Sequence, residues 1–234
     1  MCLRILRDVD DAQGIGRGDA VDGLLQVSAP VTFGLARVVP HLSSFIAAHP
    51  GLRLDLRLED RLIDLVLDGV DVAVRVGSPP PDSAELVAHR LMSFRRVMVA
   101  SPGYLRRVGE PKTPEALVKY DALTYAGGTA SDRWALRSAE REAHVQVNVT
   151  FRSNALHALR ELAVNGAGVA LLPDWLVADE VERRALRVLL SGWQTEPVPV
   201  NAIHRTEHRG SRRVRALIDH LRAAYASPGK ADKA

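Results

Sequence analysis

The chain has 234 residues, of which 47% are hydrophobic and 25% are charged, and its formal net charge is +3 at pH 7. This length supports one large or two small globular domains, and the mild positive charge does not mark a nucleic-acid binder. No run approaches the about 18 uninterrupted apolar residues of a membrane helix, and the charged N-terminus does not resemble a signal peptide. The single cysteine, Cys2, excludes an internal disulfide. We therefore expect a cytoplasmic protein without a membrane partner.

A strand that leads directly into a helix is predicted close to the N-terminus. Leu25 and Val27 alternate with polar residues at the period of a strand, and Pro30 breaks this pattern. Apolar residues then recur at helical spacing, at Leu35, Val38, Val39, Leu42, Phe45 and Ile46. Ser28 and Thr32 flank the helix start, where unpaired backbone N–H groups favour a small anion. The alternative is that the two hydroxyls only cap the helix.

The next segment predicts two further strands joined by a short helix. Leucines alternate with charged residues over 52–59, which indicates a strand with one solvent-facing side. Asp60 is predicted to cap a helix over 62–66, and a third strand follows at 70–76. Crossovers of this kind are typical of a parallel sheet, in which ligands bind beyond the carboxyl ends of the strands. The ends of the first and third strands are therefore expected to lie near each other.

The remaining sequence predicts a second lobe and then a return to the first. Strands are predicted at 86–91, 95–100, 121–125, 134–137, 144–149, 168–173 and 198–204, and helices begin near 101, 111–114, 156, 174 and 211. Ser153 and Asn154 are expected to cap the helix that begins at 156, and Gly166 is expected to end it. The closing helix is expected to end near 226, before a disordered tail at 227–234.

The sequence contains no motif that supports enzymatic or metal chemistry. The segment 166–168 lacks the third glycine of a dinucleotide fingerprint and precedes a strand instead of following one. Among eight histidines, only His204 and His208 have a metal-like spacing, and a turn is predicted between them. The acidic residues form no evident catalytic pair. We predict no catalytic residue, cofactor or metal, and the sequence leaves an enzyme unsupported.

With these elements in place, the chain resembles the effector-binding, or substrate-binding, domain of LysR-type bacterial transcriptional regulators. The resemblance covers 23–226 and includes L-Q-V-S-A-P-V-T-F-G at 25–34 and G-A-G-V-A-L-L-P-D-W-L at 166–176. Further matching stretches lie at 45–56, 60–77, 95–105 and 153–156. The resemblance implies an α/β, two-lobed fold like that of type 2 periplasmic binding proteins, with two crossing strands. Its lobes would be 23–100 with 203–226, and 101–202.

The resemblance also implies that a small effector, a carboxylate or an aromatic metabolite, binds in the cleft between the lobes. By position, the first lobe would contribute Ser28, Ala29, Thr32, Phe33, Arg75, Val76 and Gly77. The second lobe would contribute Ser101, Tyr125, Asn154, Ala155, Gly168 and Val169. Arg75 has two alternative partners, the effector carboxylate or an acidic neighbour in its own lobe.

The partners implied by the resemblance are a second copy of the chain, in a homodimer or tetramer, and DNA. The helices over 32–48 and 154–165 are the expected contacts between copies. Family members bind DNA through an N-terminal winged helix-turn-helix, whereas residues 1–22 resemble only the end of the linker helix and a flexible lead-in. DNA is therefore expected as a partner only through a helix-turn-helix absent from this chain. The alternatives are a stand-alone cytoplasmic small-molecule-binding protein or an enzyme on the same scaffold.

Overall fold

The computed structural model describes residues 21–61, 63–79, 84–127 and 132–226. These residues form two compact units, the first from the chain up to Met92 together with 199–226, and the second from 93–198. The lobe boundaries predicted from the sequence, at 100 and 202, lie slightly further along the chain. The predicted linker remnant, except its last two residues, and the predicted tail at 227–234 lie outside the described residues.

The secondary structure alternates between strands and helices along most of the chain. In order, the elements are β1 (Gly23–Ala29), α1 (Val31–Ala48), β2 (Leu52–Leu58), β3 (Val72–Val76), β4 (Leu86–Phe94), β5 (Arg96–Ala100), α2 (Pro102–Val108), a 3-10 turn (Pro114–Lys119), β6 (Asp121–Tyr125), β7 (Arg133–Arg137), β8 (Glu142–Gln146), β9 (Asn148–Ser153), α3 (Leu156–Val164), β10 (Val169–Pro173), α4 (Asp174–Glu182), β11 (Arg187–Leu189), β12 (Val198–Arg205), a second 3-10 turn (Thr206–Gly210) and α5 (Arg212–Ala226).

The sheet of the first unit has the strand order β2-β1-β3-β12-β4. Strand β1 runs parallel to both β2 and β3, with Ser28 opposite Arg57 on one side and Ala73 on the other. Strand β12 runs antiparallel to β3. Because β1, β2 and β3 are parallel, their carboxyl ends meet at one edge of the sheet, as the sequence predicts.

Helix α1 contains a wide π-helical segment over Gly34–Val38, in which the Val39 N–H bonds to the Gly34 carbonyl. The segment directly precedes Pro40, which has no N–H to donate and whose ring crowds the carbonyl one turn earlier. Helix α5 supplies donors to carbonyls in this part of α1. The Tyr225 hydroxyl donates to the Arg37 carbonyl at 2.7 Å, and His220 Nε2 donates to the His41 carbonyl at 2.9 Å.

The sheet of the second unit has the order β11-β5-β10-β6-β9 and is buried on both faces. Alternate residues of one strand belong to different clusters of buried side chains, Met98 to one and Val99 to the other. Tyr104 of α2 joins the first cluster, and Leu159 of α3 joins the second. Because side chains alternate across a sheet, these clusters lie on opposite faces, which explains the continuous apolar run of β10.

Two predicted elements differ from the structure. No helix forms around 62–66 among the described residues, and 65–69 form turns instead. The Asp64 carboxylate accepts hydrogen bonds from the Val66 and Leu67 amides, and this local bonding competes with a helix. Leu62 lies outside the described residues. The strand predicted at 144–149 is divided into β8 and β9 at Val147.

The other predicted strands and helices that fall on described residues are present, with shifts of a few residues at their ends. The predicted helix near 111–114 is the 3-10 turn that begins at Pro114. Strand β11 has no counterpart among the sequence predictions.

By length and composition, α1 is also the one helix among the described residues that could cross a membrane, with a mean hydropathy of 1.3 over 18 residues. Polar residues such as Arg37 and His41 interrupt α1, so it contains no long uninterrupted apolar run. In the first unit its Val38, Leu42 and Phe45 side chains are buried.

We predict that Tyr225→Phe lowers the free energy of unfolding by about 1 kcal/mol, because the Arg37 carbonyl loses its hydroxyl donor. Urea-induced unfolding followed by circular dichroism measures this loss. Tyr120→Phe removes a longer hydrogen bond, 3.3 Å to the Gly109 carbonyl, and serves as the matched control with a smaller effect. Equal losses in the two variants would contradict the role of Tyr225 at the π-helical segment.

Candidate functional site

The carboxyl edge of the first sheet brings together polar residues from three neighbouring strands. Ser28 comes from the end of β1, Arg75 from the end of β3, and Glu59 and Asp60 directly follow β2. Two of these four, Ser28 and Arg75, are predicted from the sequence as effector contacts, and the two carboxylates are not. We refer to Ser28, Glu59, Asp60 and Arg75 as the sheet-edge cluster.

Arg75 is the half-buried cation of the sheet-edge cluster. Its guanidinium donates through Nη2 to Ser28 Oγ at 3.0 Å and through Nη1 to the Val74 carbonyl at 2.7 Å. Within the described part of the chain, no carboxylate oxygen lies within 4.0 Å of its nitrogens. Burial lowers the pKa of Arg75, and the more distant charges of Glu59 and Asp60 act in the opposite direction. Neither acidic neighbour therefore forms a direct ion pair with this guanidinium.

Ser28 connects Arg75 to a chain of charged groups. The side chain is fully buried, and its hydroxyl donates to Glu59 Oε1 at 3.4 Å while accepting from Arg75. Glu59 Oε2 pairs with Arg61 at 2.7 Å, and Arg61 also contacts both carboxylate oxygens of Asp68 at 2.7 and 3.0 Å. The pKa of Asp68 is lowered, chiefly by its hydrogen bond with Arg61. Glu59 is thus bonded to Ser28 and Arg61, and it reaches Arg75 only through the Ser28 hydroxyl.

The start of α1 already has an anionic partner. The Val31 amide donates to Asp60 Oδ1 at 3.0 Å, whereas Pro30, the capping residue, has no side-chain hydrogen bond. A carboxylate at this position satisfies an unpaired amide and interacts favourably with the helix dipole. The expectation that the Ser28 hydroxyl caps the helix is wrong, because its partners are Arg75 and Glu59. Asp60 caps α1 instead of a short helix at 62–66.

The other predicted residues of the first unit differ in exposure. Ala29, Thr32 and Phe33 are buried, at 0%, 9% and 2% exposure, whereas Val76 is 39% exposed. Gly77 has a φ of +113°, a backbone conformation that favours glycine.

Gly77 is fixed to β12 by two hydrogen bonds. Its N–H donates to the Pro199 carbonyl at 2.8 Å, and its carbonyl accepts from the Asn201 side chain at 3.0 Å. Asn201 is 3% exposed, and no sequence motif indicates this role.

In the second unit, three of the predicted residues have clear packing roles. Ser101 is buried, and its hydroxyl caps α2 by accepting from the Tyr104 amide at 3.2 Å. Gly168 lies so close to β6 that a Cβ atom there would be 2.3 Å from the Asp121 carbonyl oxygen. Val169 is 1% exposed and belongs to the core. Each of these three residues therefore has a packing or capping role within the second unit.

The remaining predicted residues of the second unit are more accessible. Asn154 and Ala155 are exposed at the start of α3, and Tyr125 is partly exposed. Ala155, and not Asn154, is the capping residue of α3, with its amide bonded to Ser153 Oγ at 3.0 Å. Thr124, beside Tyr125, is 5% exposed, and its hydroxyl has no hydrogen-bond partner among the described residues. Thr124 is not among the residues predicted from the sequence.

Metal binding finds no support in the part of the chain that the structure describes. Within it, no group of three or more histidine, cysteine or acidic side chains is arranged to hold a metal ion. His204 and His208, the pair with a metal-like spacing, do not form such a group. Cys2 lies outside the described residues.

These features define a class: an α/β chain in two units, with polar residues gathered at the carboxyl edge of a largely parallel sheet. The chain belongs to the LysR substrate binding domain family, which matches residues 18–226. The two-lobed, periplasmic-binding-protein-like fold predicted from the sequence is confirmed by its solved relatives. The regulatory domain of CrgA, a LysR-type transcriptional regulator from Neisseria meningitidis, superimposes with a TM-score of 0.76 at 27% identity, covering 87% of this chain and 98% of that domain.

Two longer relatives of this chain are bacterial transcriptional regulators. The HTH-type transcriptional regulator PtxR of Pseudomonas aeruginosa is 32% identical over 217 residues, which cover 93% of this chain and 67% of PtxR. An HTH-type transcriptional regulator of Xanthomonas campestris pv. campestris is 31% identical over 226 residues, covering 94% of this chain and 65% of that protein. The chain thus spans about two thirds of the length of these relatives.

We predict that Gly168→Ala lowers the free energy of unfolding by about 1–3 kcal/mol, because the added methyl group meets the rigid backbone of β6. Chemical denaturation measures the change. Gly192→Ala is the control, since no atom lies within 4 Å of its added Cβ. A Gly168→Ala protein as stable as the control would contradict the packing role and leave effector contact as the reason for this glycine.

Proposed function

We propose that this chain is the effector-sensing part of a LysR-type transcriptional regulator and that it binds a small carboxylate through Arg75. The observation that carries this proposal is a half-buried guanidinium whose side-chain donors reach only neutral oxygens, Ser28 Oγ and the Val74 carbonyl. Burial of a charge is costly unless it is paired, and a carboxylate matches the planar donor geometry of arginine. An effector carboxylate would supply the direct counterion that Arg75 lacks within the described residues.

The neighbouring carboxylates favour a ligand that approaches Arg75 specifically. Glu59 is paired with Arg61, and Asp60 is bonded to the start of α1. Among the cations of this charge chain, Arg61 is already paired with Glu59 and Asp68, so Arg75 is the one that can orient a ligand carboxylate directly. This arrangement revises the sequence-based picture, in which the amides of the helix start bind the anion. For the second unit, Ser101, Tyr125, Asn154, Ala155, Gly168 and Val169 remain predicted effector contacts.

The wider role follows from the family. We propose that effector binding changes the population of domain conformations and thereby transcription, in the cytoplasm and without catalysis. DNA would be bound through a helix-turn-helix segment outside the 234 residues, like that named in the HTH-type relatives. No observation on the described residues favours an enzyme over this role.

Formate is the smallest probe of a carboxylate site. We expect sodium formate to shift the NMR signals of Ser28, Val74 and the Arg75 side chain saturably, relative to sodium chloride at equal ionic strength. Arg75→Gln should weaken formate binding at least about tenfold, because charge-assisted hydrogen bonds contribute about 1.5–3 kcal/mol each. Carboxylate metabolites that compete with formate would then identify the effector class.

Arg53→Gln is the matched control, because Arg53 is an exposed arginine on the neighbouring strand β2. Its formate binding should equal that of the unmodified chain. The proposal fails if Arg75→Gln binds formate as tightly as the Arg53→Gln control, or if formate and chloride cause the same shifts.

We also propose that the chain forms a homodimer through α1. Three large apolar side chains, Leu35, Val39 and Ile46, are 51%, 40% and 46% exposed along this helix, and we call them the α1 apolar face. Exposed apolar side chains at helical spacing on one element are typical of a contact surface. Helix α3, the second predicted contact, exposes the polar residues His157 and Glu161.

Val39→Glu should convert the dimer to a monomer at tens of micromolar, because a carboxylate would be desolvated within the α1 apolar face. Size-exclusion chromatography with light scattering measures the mass. Leu67→Glu is the control: Leu67 is 86% exposed outside α1, and its variant should stay dimeric. A monomeric unmodified chain, or a dimeric Val39→Glu variant, would contradict the assignment.

A further inference from the structure

Two histidines on neighbouring strands of the first unit face each other directly. His89 lies on β4 and His204 lies on β12, and these strands are adjacent in the sheet. Their Nε2 atoms are 3.0 Å apart, the ring centroids are 5.1 Å apart, and the planes differ by 17°. The ring centroids are thus about 2 Å further apart than the two Nε2 atoms, so the rings meet at their edges. In this arrangement the two Nε2 atoms share one N–H···N hydrogen bond.

The backbone determines which ring donates. His204 Nδ1 lies 2.7 Å from the Arg205 carbonyl, which only accepts hydrogen bonds, so Nδ1 carries a proton. In the neutral ring, Nε2 of His204 is then the acceptor, and Nε2 of His89 is the donor. His204 is 3% exposed, so water does not readily replace this partner.

The number of protons on the pair therefore decides whether the contact exists. One added proton fits on Nδ1 of His89 and leaves the Nε2–H···Nε2 bond in place. A second added proton has to occupy Nε2 of His204, which places two N–H groups and two positive charges against each other at 3.0 Å. The doubly protonated pair is incompatible with the observed geometry.

The surroundings disfavour protonation. Burial is the largest effect and lowers the pKa of both rings, and nearby cations add to it at each ring. The charged and titratable side chains that act on the pair are His208 and Arg209 from the 3-10 turn at Thr206–Gly210, and Asp219 and Arg222 from α5. Of these side chains, only Asp219 opposes the lowering, and at His204 the hydrogen bond to the Arg205 carbonyl also opposes the lowering of the pKa. His208 in turn lies 3.9 Å from Asp71 and 3.8 Å from Glu207.

We propose that the His89–His204 pair is a proton-sensitive contact that holds β4 to β12 at neutral pH and opens on acidification. Strands β4 and β12 are also the two segments through which the chain passes between its units, after Met92 and after Val198. A change of protonation at this pair thus acts on both connecting strands together. The effect is separate from effector binding at Arg75, which lies on β3.

The sign of the pH effect follows from linkage. An unfolded histidine titrates near pH 6.5, and the folded pair titrates lower, so the unfolded chain binds more protons between the two values. The stability contributed by the neutral pair is present above about pH 6.5 and is lost as the pH falls below it.

Thermal unfolding at pH 7.5 and 5.5, with a chelator present, tests this effect. His89→Gln retains an amide N–H donor for His204 but removes one titratable ring. We expect acidification from pH 7.5 to 5.5 to lower the Tm of the unmodified chain by about 2–4 °C more than it lowers the Tm of His89→Gln. His157→Gln, at an exposed position of α3, is the control and should behave like the unmodified chain. Equal losses in all three proteins would overturn the proposal.

Histidine NMR on the unmodified chain gives a second measurement, which holds even if His89→Gln fails to fold. We expect the Nδ1–H tautomer at His204 and the Nε2–H tautomer at His89 at pH 8, and titration midpoints for both rings below about 6.5, the value of an unfolded histidine. The opposite tautomers, or midpoints at or above about 6.5, would overturn the proposal.

Discussion

A proline in the interior of α1 is the constraint on which much of the first unit depends. Pro40 has no N–H to donate to the preceding turn, and the helix widens over Gly34–Val38 just before it. Separately, side chains of α5 donate to the carbonyls of Arg37 and His41. Helix α1 begins at the sheet-edge cluster and carries the α1 apolar face. The distant C-terminal helix therefore stabilises the element that connects the candidate effector site with the candidate dimer contact.

Periodicity in the sequence is sufficient for most of this fold, because buried strands and amphipathic helices have distinct repeats. The pattern predicts β1, the length of α1, β10 and α5. It fails at 62–66, where apolar residues have helical spacing but Asp64 and Asp68 side chains compete for local amides. The π-helical segment over Gly34–Val38 also has no counterpart in the apolar spacing of α1.

The candidate site is predicted only in part, for a different reason. Ser28 and Arg75 lie at the ends of recognisable strands, so the parallel topology brings them together. Glu59 and Asp60 directly follow β2, which runs parallel to β1. The same topological argument would therefore have placed them at the carboxyl edge of the sheet. The sequence does not show which partner each charged side chain binds. In the structure Asp60 bonds to Val31 and Glu59 to Arg61, and neither contacts Arg75 directly. Such choices depend on distances of a few ångströms.

The division of the first unit into two separate stretches has a consequence for biosynthesis. The second unit, 93–198, is continuous and can fold as soon as it leaves the ribosome, whereas the first unit lacks β12 and α5 until 199–226 have been made. Until then β3 has an unpaired edge, and the carbonyls of Arg37 and His41 lack their side-chain donors. Strands β1, β2 and β3 are therefore translated before the second unit but complete their sheet after it, and the edge of β3 stays unpaired in the meantime.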